Sequence, residues 1–404
     1  MTVQEFCAQY YVDRKGTHSQ KWDALLRKFG DSNLLSMWVA DMEFKTPQPV
    51  IDALAKRVEH GVYGYSDVPN SYYDALNKWE QEHYGYRIEK EWVRFSPGII
   101  PALYWFVNMF TEEQESVIVM TPVYYPFLNA VKDNGRKLIT CDLDYKDGIF
   151  TVDYERFEKL ITDNDVKLFI LCSPHNPAGR VWTEEELERM LDICQKHKVL
   201  VISDEIHQDI IAPGFRHIPS AIVARGKYAS NIITANAPSK TFNLASCLHA
   251  NIIIQSPVIR AIYDAFIKRY YQAETNLFGI TAAEAAYTYG ETWRQDLLKV
   301  IYSNYSYVKE QMTEYPGIHV CPLEGTYLLF MDLRAYIKPD QIKEFIQDEC
   351  RLACDYGEWF GEKWRGFIRM NVATHPNFVK QAVDSIKKEL KIIKTINGVN
   401  TEKK

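Results

Sequence analysis

The stretch that decides the fold runs from Lys167 to Asp204 and reads KLFILC-SPHNPAG-RVW-TEEELERMLDICQKHK-VLVISD. Its two ends, Lys167–Cys172 and Val199–Ser203, are short runs apolar on both faces. That is the pattern of parallel strands covered by helices on either side. Between them the sequence spells a helix. Thr183 is its N-cap and Glu186, three residues on, completes a capping box. Glu184 and Glu185 suit its positive end, and Lys196, His197 and Lys198 its negative end. Leu187, Met190, Leu191 and Cys194 form its apolar face. Strand, helix and strand at this spacing make a βαβ unit. Ser116–Met120 and Lys137–Cys141 read as further strands, so the fold class is α/β with an open, mostly parallel sheet. Ligands of such sheets bind beyond the carboxyl ends of the strands.

Chemistry-bearing residues stand at those strand ends. Lys240 lies in the small-residue loop Asn231-Ile-Ile-Thr-Ala-Asn-Ala-Pro-Ser-Lys-Thr-Phe-Asn243, after a β-branched run. An amine placed there can form a Schiff base with an aldehyde, and desolvation lowers its pKa so that it also serves as a base. Asp204 follows Val-Leu-Val-Ile-Ser, where a carboxylate is costly unless paired. Facing a pyridine nitrogen, it would keep that nitrogen protonated; the competing reading is a helix N-cap. His207, one helical turn on, is placed to orient Asp204. Asn176, between Pro174 and Pro177, can donate to a phenolic oxygen, or simply build a turn. Phe95-Ser-Pro-Gly-Ile-Ile-Pro101 opens a helix. Gly98 lets a ligand approach the backbone, the amides of Ile99 and Ile100 would hold a phosphate, and Ser239 would add a hydroxyl. In Thr121-Pro-Val-Tyr-Tyr-Pro126, Tyr124 is the candidate to stack on a ring. Arg369, within the apolar run Gly366-Phe-Ile-Arg-Met-Asn371, needs a carboxylate partner, either a substrate's or a structural one. Together these residues suit pyridoxal 5'-phosphate used as an electron sink.

Bulk properties set the outer bounds. A chain of 404 residues accommodates two domains. The net charge of −6 comes with no basic stripe, which excludes nucleic acid as an expected partner. Eight scattered cysteines without a CxxC pair read as a reduced, cytoplasmic pattern with no metal site. No secretory signal or membrane-length apolar run is seen. From about residue 286 the character changes to helices over 286–312, a strand at Gly325–Asp332, a helix near 339–350, a strand at Gly366–Asn371 and a last helix over 377–394. This α+β part, with 1–44 packed on it, is read as a smaller domain beside a large one spanning 45–285. The polar tail 397–404 is expected to fray.

Six motifs occur in one order: Val39-Ala-Asp-Met-Glu-Phe44, Gly61-Val-Tyr-Gly-Tyr-Ser66, Cys172-Ser-Pro-His-Asn-Pro177, Ser203-Asp-Glu-Ile-His207, Pro238-Ser-Lys-Thr-Phe-Asn243 and Arg365-Gly-Phe-Ile-Arg-Met-Asn371. In this the chain resembles fold-type I pyridoxal-phosphate enzymes of the class I/II aminotransferase superfamily. Within that superfamily it is most similar to the bacterial MalY/PatB group of cystathionine or cysteine-S-conjugate β-lyases. The resemblance spans nearly the whole chain. It implies a large domain with a seven-stranded, mostly parallel sheet, and a homodimer with shared active sites. It also implies that Lys240 carries the cofactor, Asp204 meets its ring nitrogen and Asn176 its phenolic oxygen. Tyr124 would stack on the ring, Tyr65 would reach the phosphate from the partner subunit, and Arg369 would take the substrate carboxylate. The expected reaction is α,β-elimination from L-cystathionine or another S-substituted cysteine, giving pyruvate, ammonia and a thiol. Transamination on the same cofactor is the alternative, and a regulatory protein-binding role is a third reading. Trp38 is expected at the substrate entrance, on an N-terminal loop with Asp41 that closes as a lid. Three departures are marked: Ala178 stands where glycine or threonine is commoner, Ala245-Ser246-Cys247 where the lyase branch usually continues Ala-Gly-Leu, and an arginine is missing in agreement with that branch. Aminotransferases of this class carry an arginine about eight residues after the lysine, where this chain reads Ser246-Cys-Leu-His-Ala250.

Overall fold

The computed structural model describes residues 1–272 and 275–401. Seven strands, β1 (Val93–Ser96), β2 (Ser116–Thr121), β3 (Lys137–Asp142), β4 (Val166–Cys172), β5 (Leu200–Asp204), β6 (Ile232–Asn236) and β7 (Ala250–Ile254), form one sheet in the order β1-β7-β6-β5-β4-β2-β3. All neighbours from β6 to β3 pair in parallel, and only β7 runs against its neighbours. The alternation along each strand explains the double-sided burial. Ile118, Met120, Phe169 and Leu171 enter one apolar core, while Val117, Val119, Leu168 and Ile170 enter another on the opposite face. Helices cover both faces. Among them is the helix Glu184–Lys196, whose Thr183–Glu186 capping box forms as its sequence dictates.

A second sheet, of four antiparallel strands, joins β8 (His319–Val320), β9 (Leu328–Asp332), β10 (Asp355–Tyr356) and β11 (Phe367–Asn371) in the order β8-β9-β11-β10. The strand expected from Gly325 starts only at Leu328, because Gly325 is drawn into a bridge with Ile211. The helix expected near 339–350 is a 3-10 turn followed by a π-helical turn, Glu344–Glu349. The last helix, Pro376–Thr401, takes in part of the tail expected to fray; 402–404 lie outside the described residues. No helix among the described residues is long and apolar enough to cross a membrane.

The N-terminal segment is woven into the C-terminal part. Leu35 and Ser36 pair in parallel with Leu352 and Ala353. Beneath them Lys21 and Glu43 form an ion pair at 2.8 Å, 0% and 1% exposed, with the Trp22 indole donating to the same carboxylate at 3.0 Å. A buried pair of this kind is poor evidence for net stability, but losing one partner strands the other charge. We expect Lys21→Met to cost on the order of 3–5 kcal/mol in urea unfolding. Adding Glu43→Leu should recover most of that loss; a neutral Lys21→Met would show that Glu43 finds another partner.

Candidate functional site

Parallel pairing carries four strand ends to one edge. In sheet order β6, β5, β4 and β2 lead to Lys240, Asp204, Asn176 and Tyr124, and these four residues line one cavity of about 190 Å³. Because β7 is reversed, β1 runs with β6 and delivers Gly98, Ile99 and Ile100 to the same cavity. These residues form the N-terminus of the helix Ile99–Phe110. A Cβ at Gly98 would meet only Pro101, at an ordinary 3.6 Å, so the protein itself does not demand glycine there. Ser239 and His207 also line the cavity. Lys240 sits on a single helical turn, Pro238–Thr241, rather than in an extended loop.

Burial sets the electrostatics. Asp204 ends β5, and burial raises its carboxyl to about 7, against the opposing pull of the Ile206 amide and Lys240. Its Oδ1 accepts from the Ile206 amide at 3.0 Å. Desolvation lowers the Lys240 amine to about 8, although Asp41 and Asp204 favour its charged form. Its Nζ donates to the Ala40 carbonyl at 2.9 Å. Tyr124 stays a phenol, its pKa raised chiefly by burial. His207 is held neutral, first by burial and then by Lys240 and Arg369. It does not hydrogen-bond Asp204 as expected from a helical spacing. Residues 206–209 form turns instead of a helix, and His207 Nδ1 has no partner among the described residues.

Arg369 is 3% exposed and already engaged. Its Nε donates to Asp355 Oδ2 at 2.9 Å, its Nη2 donates to the same oxygen, and its Nη1 donates to Asn176 Oδ1 at 3.0 Å. Its guanidinium carbon lies 5.8 Å from the Tyr124 ring centroid. Asp355 was not singled out from the sequence; it faces Arg369 only because β10 and β11 pair in that register. The arginine thus has its structural carboxylate, and the N–H groups these contacts leave over are available to a second one. Asn176 links it to the cavity, keeping its amide N–H₂ free for a ligand.

One expectation needs correction. Trp38 does not line the cavity: its indole donates to the Lys21 carbonyl at 3.0 Å and packs edge-on against Phe29. In this structure the loop that carries it is tied down along its length. Asn371 donates to the Val39 and Asp41 carbonyls, Asn243 to those of Met42 and Phe44, and Arg14 pairs with Asp41 at 2.7 Å. The residue this loop contributes is Ala40, whose carbonyl also accepts from Tyr327 at 2.9 Å. Tyr65 is 98% exposed and lies outside the cavity of its own chain.

Comparison with known proteins matches the model of aminotransferase class I and II over residues 33–386. The chain belongs to the class I and II aminotransferase family. It is 37% identical to cystathionine β-lyase PatB of Bacillus subtilis over 361 residues, which cover 89% of this chain and 93% of that one. It is 33% identical to protein MalY of Escherichia coli over 89% and 92% of the two chains. The structure of cystalysin from Treponema denticola, which contains pyridoxal 5'-phosphate, superposes with a TM-score of 0.89 at 35% identity, covering 95% and 98% of the chains. The fold is that of this family, a seven-stranded mixed sheet flanked by helices.

In this member of the family the Lys240 amine should react as an amine from about pH 8. Competitive acetylation followed by mass spectrometry is expected to half-label Lys240 of the apoprotein near that pH, well below surface lysines. Asp204→Asn removes a charge that favours the ammonium and should shift the midpoint lower. A midpoint near 10 would contradict the desolvation argument.

Proposed function

We propose that the chain is a pyridoxal-phosphate-dependent carbon–sulfur β-lyase, releasing pyruvate, ammonia and a thiol from L-cystathionine or a related S-substituted cysteine. The observation that carries this is the convergence of Lys240, Asp204 and Asn176 on one small cavity, in a chain over a third identical to a cystathionine β-lyase. The donor set fits the cofactor. Asp204, a buried carboxylate without a cation in hydrogen-bond contact, suits a protonated ring nitrogen. The Asn176 amide suits the phenolic oxygen, and the Ile99 and Ile100 amides with Ser239 suit the phosphate. The orphaned His207 Nδ1 gives the cavity a further polar atom awaiting a partner.

When bound, the cofactor supplies an electron sink that makes the substrate's α-proton acidic. The chain supplies the rest. Lys240 would hold the cofactor through Nζ, and the same nitrogen would serve as the base that takes the α-proton. Its lowered pKa keeps that nitrogen near the working pH. Asp204 would keep the ring nitrogen protonated. Arg369, oriented by Asp355 and Asn176, grips the substrate carboxylate and fixes the α-carbon beside Lys240. Tyr124, a neutral phenol lining the cavity, would bound one face of the ring.

The same reading includes a homodimer in the cytoplasm, with Tyr65 of each subunit reaching the other's phosphate. Its support is that Val62, Tyr63 and Tyr65 are all exposed, an apolar segment left largely uncovered by the described residues. It also includes a large body over 45–285 and a smaller one from 1–44 and 286–404. The main-sheet strands all fall between Val93 and Ile254, and those of the second sheet between His319 and Asn371.

The deciding experiment is pyruvate release from L-cystathionine by the purified holoprotein beside Lys240→Ala. We expect pyruvate and thiol in equal amounts, abolished in the variant. No pyruvate, but cofactor bleaching that a keto acid reverses, would install transamination instead. Asp355→Asn should raise KM about tenfold or more with a smaller effect on kcat, as expected for a loosened carboxylate grip. An equal fall in kcat with KM unchanged would remove Asp355 from that role.

A further inference from the structure

His249 occupies a position whose chemistry the reading above does not use. Ala250 pairs with Ser96 across β7 and β1, so His249 lies opposite Pro97, beside the helix N-terminus at Ile99. It is 5% exposed and lines the Lys240 cavity at that end, together with Pro97 and Gly98. The placement is rigid. Leu248 turns through φ +48°, a left-handed conformation costly for a branched side chain, with its own side chain exposed while His249 faces inward. Gly279 packs so closely behind it that a Cβ there would sit 2.8 Å from His249 Cβ.

Its hydrogen bonds fix which ring nitrogen carries the proton. Asn251 Nδ2 donates to Asn236 Oδ1 and to the Tyr287 hydroxyl, both at 3.0 Å, which leaves Asn251 Oδ1 as the acceptor facing Tyr72. Tyr72 spends its single proton on that oxygen, at 2.5 Å. His249 Nε2, 2.6 Å from the Tyr72 hydroxyl, must therefore be the donor in that contact. A neutral His249 then has a bare lone pair on Nδ1. A phosphate dianion offers only acceptors, so the two can meet favourably only if Nδ1 gains a proton.

We propose that His249 is the cationic partner of the cofactor phosphate in this chain, and that loading the phosphate draws one proton from solvent onto Nδ1. This rests on the cofactor reading above and names the residue that stands in for the absent arginine. Without the phosphate, burial holds the imidazole neutral, with a pKa lowered to about 4. The titratable groups around it are Tyr72, Tyr287 through Asn251, Glu80 beyond Asn236, and Lys240, Asp204, His207 and Tyr124 in the same cavity. Arg94, Asp264 and Lys268 line the outer pocket that shares His249. Phosphate raises the histidine's pKa from that low value, so its contribution is full at low pH and fades as pH rises through the bound-state value.

The test titrates apoprotein with pyridoxal 5'-phosphate and with pyridoxal, which lacks the phosphate, in wild type and His249→Gln. Binding is read by absorbance, and proton uptake by calorimetry in two buffers of different ionisation enthalpy. We expect the variant to bind pyridoxal 5'-phosphate about 10- to 100-fold more weakly, the scale of one charge-assisted bond. Pyridoxal affinity should hold, showing a folded site, and the wild type should take up about one proton more than the variant. Equal affinity, equal proton uptake, or loss of both ligands in the variant would overturn the assignment. A wild type that fails to bind pyridoxal 5'-phosphate at all would overturn the cofactor reading itself.

Discussion

Parallel hydrogen bonding between β2, β4, β5 and β6 obliges four consecutive loops to emerge at one edge, and everything at the site depends on that constraint. No side chain needs to reach far. Tyr124, Asn176, Asp204 and Lys240 are neighbours because their strands are, with a spacing near 5 Å between strand axes. The reversed β7 then returns β1 to the same direction as β6 and adds a helix N-terminus beside Lys240. A carboxylate, an amine and backbone amides thus meet in one buried pocket. Burial there pulls the Asp204 and Lys240 pKa values toward each other, to about 7 and about 8. Groups in that state change charge readily when a ligand brings its own.

The second sheet acts through a different device. It presents an arginine whose direction is set twice, by Asp355 on the neighbouring strand and by Asn176 from the main sheet. Anchoring one face of a guanidinium fixes the plane of the other, so an arginine can hold a structural carboxylate and still receive a ligand. The same pair ties the two sheets together across the cavity wall, through a contact polar enough to be specific and buried enough to be strong.

The main sheet was legible because its signals are local. Double-sided apolar runs, the Thr183 capping box and the residues just past each strand all survive in the structure. What escaped was decided by contacts remote in sequence. Asp355 gained its partner from a strand register fourteen residues away. Trp38 looked like an entrance aromatic but is turned inward by the carbonyl of Lys21. His207 was given a helix that the turns at 206–209 do not form, so the Asp204 oxygen went to the Ile206 amide. Tyr65 is exposed in one chain, and the resemblance alone gave it a destination.

The wall around Ala40 has a consequence in time. It is held by Asn371 and paired to Leu352–Ala353, residues that leave the ribosome after more than three hundred others. The large sheet, complete at Ile254, can assemble while the chain is still being made, as domains generally do. Its pocket cannot. Until those residues are in place, the Ala40 carbonyl is not fixed beside Lys240. The complete surround of that lysine is therefore a property of the finished chain, in place when the last strand closes on the first forty residues.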